Sequence, residues 1–161
     1  MNKSSFFLSD AIDVIQEALD HGGEFRLYPK GVSMLPLIRQ EKDSVLLKKR
    51  VDTSEAPVKK NEIAFYRRDN GQFVLHRVMK MERDGTYTMC GDNQLRLEKN
   101  IRAEQVIGYV SQIYKKDKPL LLTSFRYRLY VCVWTCMPLR HCVKFPKRAL
   151  RWVGRRIFKK G

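Results

Sequence analysis

Residues 62–79 read EIAFYRRDNGQFVLHRVM, and this stretch decides the class of the fold. Glu62–Arg67 and Gln72–Met79 are short runs rich in β-branched and aromatic residues, too brief for helices of ordinary length. Between them, Asp69-Asn70-Gly71 is hairpin chemistry, because glycine accepts the left-handed backbone that a tight reversal needs. The two runs are therefore expected to pair as antiparallel strands. With a side-chain period of two, His76 shares a face with Val74 and Val78, while Leu75, Arg77 and Met79 take the other.

The same signature recurs on both sides. Phe25–Tyr28, Ser44–Lys49, Thr86–Cys90 and Val106–Tyr114 read as strands, with Asp84-Gly85 marking a second reversal. Asp52–Lys60 is a polar, proline-containing loop. Ahead of the strands, Ser9-Asp10 followed by AIDVIQEALDHGG reads as a capped helix, in which Ile12, Ile15, Ala18 and Leu19 recur at helical spacing until Gly22-Gly23. These patterns predict a mainly β fold with an amphipathic helix over 1–23, a β domain over 24–117 and a helical basic tail over 118–161.

Charge divides along the same line. The 161 residues carry a formal +15, yet residues 120–161 hold eleven Lys and Arg with no acid, which leaves the body at +4. Such a balance points to an anionic partner for the tail. Trp134, Trp152, Phe125, Phe145 and Phe158 are interleaved with those cations, and Leu129–Leu139 is apolar but too short to span a bilayer. The tail is expected to lie on an anionic membrane surface, with nucleic acid as the second candidate partner. Nothing near the N-terminus has the apolar core of a secretory signal, so a cytoplasmic location, peripheral at the inner face of the membrane, is expected. Cys132, Cys136 and Cys142, with His141 beside them, lack the paired spacing of a zinc site. No metal or other cofactor is therefore expected.

Three segments carry residues suited to catalysis. Gly31-Val-Ser33-Met-Leu-Pro36 is a glycine- and proline-bounded turn that can expose a hydroxyl beside free amides, although a serine there also serves as a turn cap. His76 lies on a strand, where an imidazole is either a half-buried hydrogen-bonding group or a base. Cys90-Gly-Asp92-Asn93 follows a strand, and its carboxylate can either complete a turn or orient an imidazole.

Taken together and in this order, the chain resembles the type I signal peptidase superfamily, which also contains the self-cleaving repressors of the SOS response. The resemblance covers about residues 25–115. It rests on GVSMLP (31–36), Asp43-Ser-Val-Leu46, Lys59–Phe65 with its K-x-x-x-I-x-F pattern, the His76-Arg-Val strand and Gly91-Asp-Asn93. The usual bacterial enzymes and the repressors carry lysine at the position of His76, whereas the archaeal, endoplasmic-reticulum and sporulation-type enzymes carry histidine.

The resemblance implies a serine endopeptidase acting on a peptide or preprotein substrate. Ser33 would be the nucleophile, His76 the general base and Asp92 the orienting carboxylate, with Glu98 as a rival acid. It further implies that the Ser33 amide stabilises the oxyanion, that Gly31 permits close approach and that Met34 lines the substrate channel. With an ordinary imidazole, activity would fall below about pH 6. The segment ahead of Ser33 lacks the apolar anchor of the classical enzymes, which favours a compact soluble or peripheral member that trims a peptide leader. The competing expectation is a catalytically degenerate binding module whose tail engages membrane or nucleic acid.

Overall fold

A computed structural model describes residues 3–50 and 56–140, with side chains from residue 12 onward. The chain divides into two compact units, Met1–Leu122 and Thr123–Gly161. The first contains helix α1 (Lys3–Asp20) and strands β1 (Phe25–Leu27), β2 (Asp43–Lys48), β3 (Ile63–Arg67), β4 (Phe73–Met81), β5 (Tyr87–Cys90), β6 (Glu98–Ile101), β7 (Val106–Lys115) and β8 (Lys118–Leu120). Mainly β is thus the observed class.

One antiparallel sheet runs in the order β1-β2-β7-β3-β4-β5-β6, and β8 also pairs with β7. The 62–79 stretch forms the anticipated hairpin, with Arg67 opposite Phe73 and Ala64 opposite His76. Gly71 sits at φ +82 in its turn, where a side chain would be strained. Val58, Ala64, Tyr66, Val78, Tyr87, Met89, Ile101 and Val106 form a buried cluster. Ile12, Ile15 and Leu19 of α1 are also buried. A Cβ at Gly108 of β7 would stand 3.3 Å from the Leu19 side chain, so this glycine lets the helix settle closely on the sheet.

Three elements depart from the sequence reading. Helix α1 begins at Lys3 and runs through Ser9, so Ser9 is not its cap. The apolar Leu8 continues the spacing of Ile12, Ile15 and Leu19 upstream, and that period outweighs the local capping signal. Strand β6 (EKNI) has one apolar residue and gave no strand pattern. Strand β8 contains Pro119 and extends the sheet to Leu120, past the expected limit at 117; proline is tolerated because the strand lies at an edge.

The second unit contains helix α2 (Phe125–Thr135), capped by Ser124, whose hydroxyl accepts the Tyr127 amide. Leu121 of the β unit and Phe125, Leu129 and Leu139 of the second unit are exposed, Phe125 by 79%. Among the described residues, no helix is long and apolar enough to cross a membrane. His141, Cys142 and the expected tail pattern from Phe145 to Lys160 lie outside the described residues.

Candidate active site

The segment carrying Ser33 links β1 to β2 and is fixed from both ends. Gly31, at φ +90, donates its amide to Gln40 Oε1 at 2.9 Å. Ile38 N–H donates to the Met34 carbonyl at 2.9 Å, closing one helical turn. Met34, Leu37 and Ile38 are buried beneath that turn. At 4% exposure, Met34 packs beneath the loop it belongs to.

Asp43 closes the other end. Its carboxylate accepts the Arg39 amide at 2.9 Å, the Arg39 guanidinium at 3.0 and 3.1 Å, and Lys115 Nζ at 2.9 Å. Lys115 also donates to the Leu37 carbonyl. Burial alone would raise the Asp43 pKa, but hydrogen bonds from Arg39 and Lys115 overcome it and hold the group well below the usual carboxylate range. Ser33 is left half-buried at the crest. Its amide and hydroxyl have no hydrogen-bond partner among the described residues.

His76 reaches the same point from β4. Gly91, directly after β5, separates the two residues without filling the space. A Cβ at position 91 would stand 2.7 Å from the Ser33 carbonyl oxygen and 3.1 Å from His76 Nε2. Such a contact with backbone is not relieved by a rotamer change. The next residues clamp the serine loop: Asn93 N–H donates to the Ser33 carbonyl at 2.6 Å, and Gln94 N–H to the Gly91 carbonyl at 2.9 Å. Cys90 Sγ supports this turn from inside, donating toward the carbonyls of Gly91 and Arg96 at 3.4 and 3.3 Å. The Gly91-Asp92-Asn93 segment therefore holds the serine loop through a main-chain hydrogen bond and, lacking a side chain at Gly91, leaves room for the imidazole.

The other imidazole nitrogen faces a polar network. His76 Nδ1 lies 3.2 Å from the Tyr66 hydroxyl and 3.2 Å from Glu98 Oε1. Tyr66 in turn donates to Glu98 Oε2 at 2.8 Å, and Arg68 holds the same carboxylate through Nε at 2.8 Å and through a second guanidinium nitrogen. Tyr66 lies on β3, Arg68 directly follows that strand, and the register places Tyr66 diagonally beside His76.

Burial is the main influence on His76 and lowers its pKa below the ordinary imidazole value, with the Glu98 charge opposing that shift. Glu98 is pushed up by burial but held down overall by hydrogen bonds from Arg68 and Tyr66, so it is anionic. Burial and Glu98 raise the Tyr66 phenol, which keeps its proton.

The geometry gives the two candidate acids different partners. Both Asp92 oxygens bind the Arg77 guanidinium, at 2.9 and 2.7 Å, and both side chains are fully buried. Arg77 also donates to the Asn61 carbonyl at 2.8 Å. Asp92 contributes charge near His76, but the carboxylate facing Nδ1 is Glu98. Taken segment by segment, the sequence does not single out Tyr66, Arg68 or Arg77 as site residues. The hairpin register implied by Asp69-Asn70-Gly71 carried the signal for Tyr66, since it fixes which β3 residues face His76.

A cleft of about 830 Å³ opens beside this network, walled by Arg68, Asp69, Leu95, Arg96, Leu97 and Glu98 among others. Neither Ser33 nor His76 lines it. Among the described residues, no cluster of three or more His, Cys, Asp or Glu side chains is placed to hold a metal. Comparison with protein-family models and with curated proteins finds no match.

Proposed function

We propose that the chain is a serine endopeptidase of the signal-peptidase-like type, with Ser33 as nucleophile and His76 as general base. The observation that carries this reading is the convergence of the Ser33 segment and His76 Nε2 on the side-chain-free face of Gly91. Ser33 Oγ attacks a peptide carbonyl while His76 Nε2 takes its proton. The Ser33 amide, unpartnered within the described residues, is available to the developing oxyanion. The imidazolium then protonates the leaving amine, and the neutral imidazole activates water to release the acyl group. Glu98, facing the distal nitrogen, stabilises the transient positive charge. Asp92 has a structural part, neutralising Arg77 beneath the turn.

Ser33 and His76 are neighbours without a hydrogen bond between them in this structure, which is also what a degenerate binding module would show. Catalytic hydrogen bonds in substrate-free enzymes are often long and tighten only with substrate bound, so the arrangement remains competent. The two readings separate with a fluorescent fluorophosphonate, which requires an activated serine. The full chain is expected to label at Ser33, and Ser33→Ala and His76→Ala are each expected to abolish labelling while the far-UV circular dichroism is unchanged. Absence of labelling in the wild type would favour the binding module.

We further place the enzyme at an anionic membrane surface through residues 120–161. Support comes from the eleven cations and absent acids of that segment, together with exposed Phe125, Leu129 and Leu139 beside Arg126 and Arg128. Cations draw such a segment to anionic headgroups, while exposed apolar side chains enter the interface. Location at the cytoplasmic face and action on a peptide leader belong to this same proposal.

A further inference from the structure

We propose that Tyr66 is the residue that orients the imidazole, its hydroxyl touching both His76 Nδ1 and the Glu98 carboxylate. The inference rests on the peptidase reading and adds a positioning residue to it. Two oxygens lie 3.2 Å from Nδ1: the Tyr66 hydroxyl makes the hydrogen bond, and Glu98 Oε1 makes a contact of charge.

The proton inventory fixes the direction. Tyr66 has one hydroxyl proton, and Glu98, paired with Arg68, is an acceptor only. The shorter contact, 2.8 Å to Glu98 Oε2, therefore takes the Tyr66 proton. The phenol oxygen is left as an acceptor, so the proton of its 3.2 Å contact with the ring must sit on Nδ1. Nε2 then keeps its lone pair toward Gly91 and Ser33, where a general base needs it. The opposite tautomer would leave Nδ1 and the Tyr66 oxygen, whose one proton goes to Glu98, facing each other as two acceptors.

Arg68 fixes the carboxylate, the carboxylate fixes the hydroxyl, and the hydroxyl fixes the ring. Three of the four side chains stand on strands, and Arg68 directly follows β3. Tyr66 is fully buried, so water does not compete for its hydroxyl. The carboxylate thus acts on the base partly at second hand, through a phenol, and its charge supports the imidazolium once the serine proton has moved.

The test uses the side-chain ¹H–¹⁵N spectrum of the full chain at neutral pH, with His76 assigned by comparison with His76→Asn, alongside fluorophosphonate labelling. In the wild type, His76 is expected to be the Nδ1–H tautomer. Tyr66→Phe is expected to show the Nε2–H tautomer in appreciable proportion and to label at least about tenfold more slowly at saturation, with the concentration for half-maximal rate little changed. A wild-type Nε2–H tautomer overturns the proposal without any variant having to fold. So does a Tyr66→Phe protein that keeps the pure Nδ1–H tautomer, or one that labels at the wild-type rate. If the wild type does not label at all, the peptidase reading fails, and the spectra alone decide whether Tyr66 orients the ring.

Discussion

Two acids near one histidine illustrate how environment assigns roles. Glu98 and Asp92 both carry charge close to His76, but Glu98 belongs to the imidazole network and Asp92 to a buried guanidinium. Glu98→Gln is expected to slow fluorophosphonate labelling at pH 7 by roughly a hundredfold and to leave urea stability within about 1 kcal/mol. It should also shift the acid limb of the labelling profile. Removing the Glu98 charge removes an influence that raises the His76 pKa, so the limb should move to lower pH as the plateau falls. In the wild type the limb is itself expected below the ordinary imidazole value of 6.5, because burial lowers the His76 pKa.

Asp92→Asn should behave oppositely, costing about 3–5 kcal/mol in urea unfolding, since it removes the carboxylate charge that two nitrogens of the fully buried Arg77 bind. Equal effects of the two substitutions on labelling and stability would refute this division. Gly91→Ala tests the convergence itself: its methyl group would press on the Ser33 carbonyl and the ring, and labelling is expected to fall about a hundredfold as the two separate.

At the level of elements, the serine loop depends on a clamp built from distant strands. Asp43 opens β2 and Lys115 closes β7, and the register sets them opposite each other. Asp43→Asn is expected to destabilise the chain by about 3 kcal/mol in urea at pH 7, toward the lower end for a broken buried pair because Arg39 and Lys115 can reach solvent. The sign with pH follows from the lowered Asp43 pKa. Its contribution is complete above the ordinary value of 3.8 and is lost as pH falls toward the depressed folded value. The wild type should therefore lose more stability than Asp43→Asn across that acid window; parallel curves would remove the clamp from the account.

The hairpin, the serine turn and the turn after β5 were legible in the sequence because glycine, asparagine and aspartate leave local signatures. The choice between Asp92 and Glu98 was not legible, since it depends on the pairing of β5 with β6, and β6 has almost no strand pattern of its own. Tyr66 was half legible. Its face follows from period two once the hairpin register is set, but the sequence does not say that Glu98 closes the network from the far side.

Across the whole molecule, chemistry and charge are segregated. The β unit carries the candidate site, while the cations without acids begin after it. Co-sedimentation of the full chain with vesicles containing anionic phospholipid is expected, with little binding to neutral vesicles and marked weakening in high salt. A chain truncated after Lys118 should lose that binding. Because β8 pairs with β7 through Lys118–Leu120, a truncation after Leu122 is the better control for an intact sheet. Binding equal to neutral and anionic vesicles would contradict the assignment, and so would retention of binding by the shorter chain.

The contact between Asn93 and the serine loop has a consequence for how such a motif is written. What position 93 gives to Ser33 is its main-chain N–H, at 2.6 Å, while its side chain stands in solvent. For this contact, side-chain chemistry at 93 is open to variation and only proline, which has no N–H, is shut out. At position 91 the constraint runs the other way, because the site needs the absence of a side chain. A pattern of letters in this region therefore records one missing atom group and one obligatory hydrogen, so distant kin can preserve the machinery while spelling it differently.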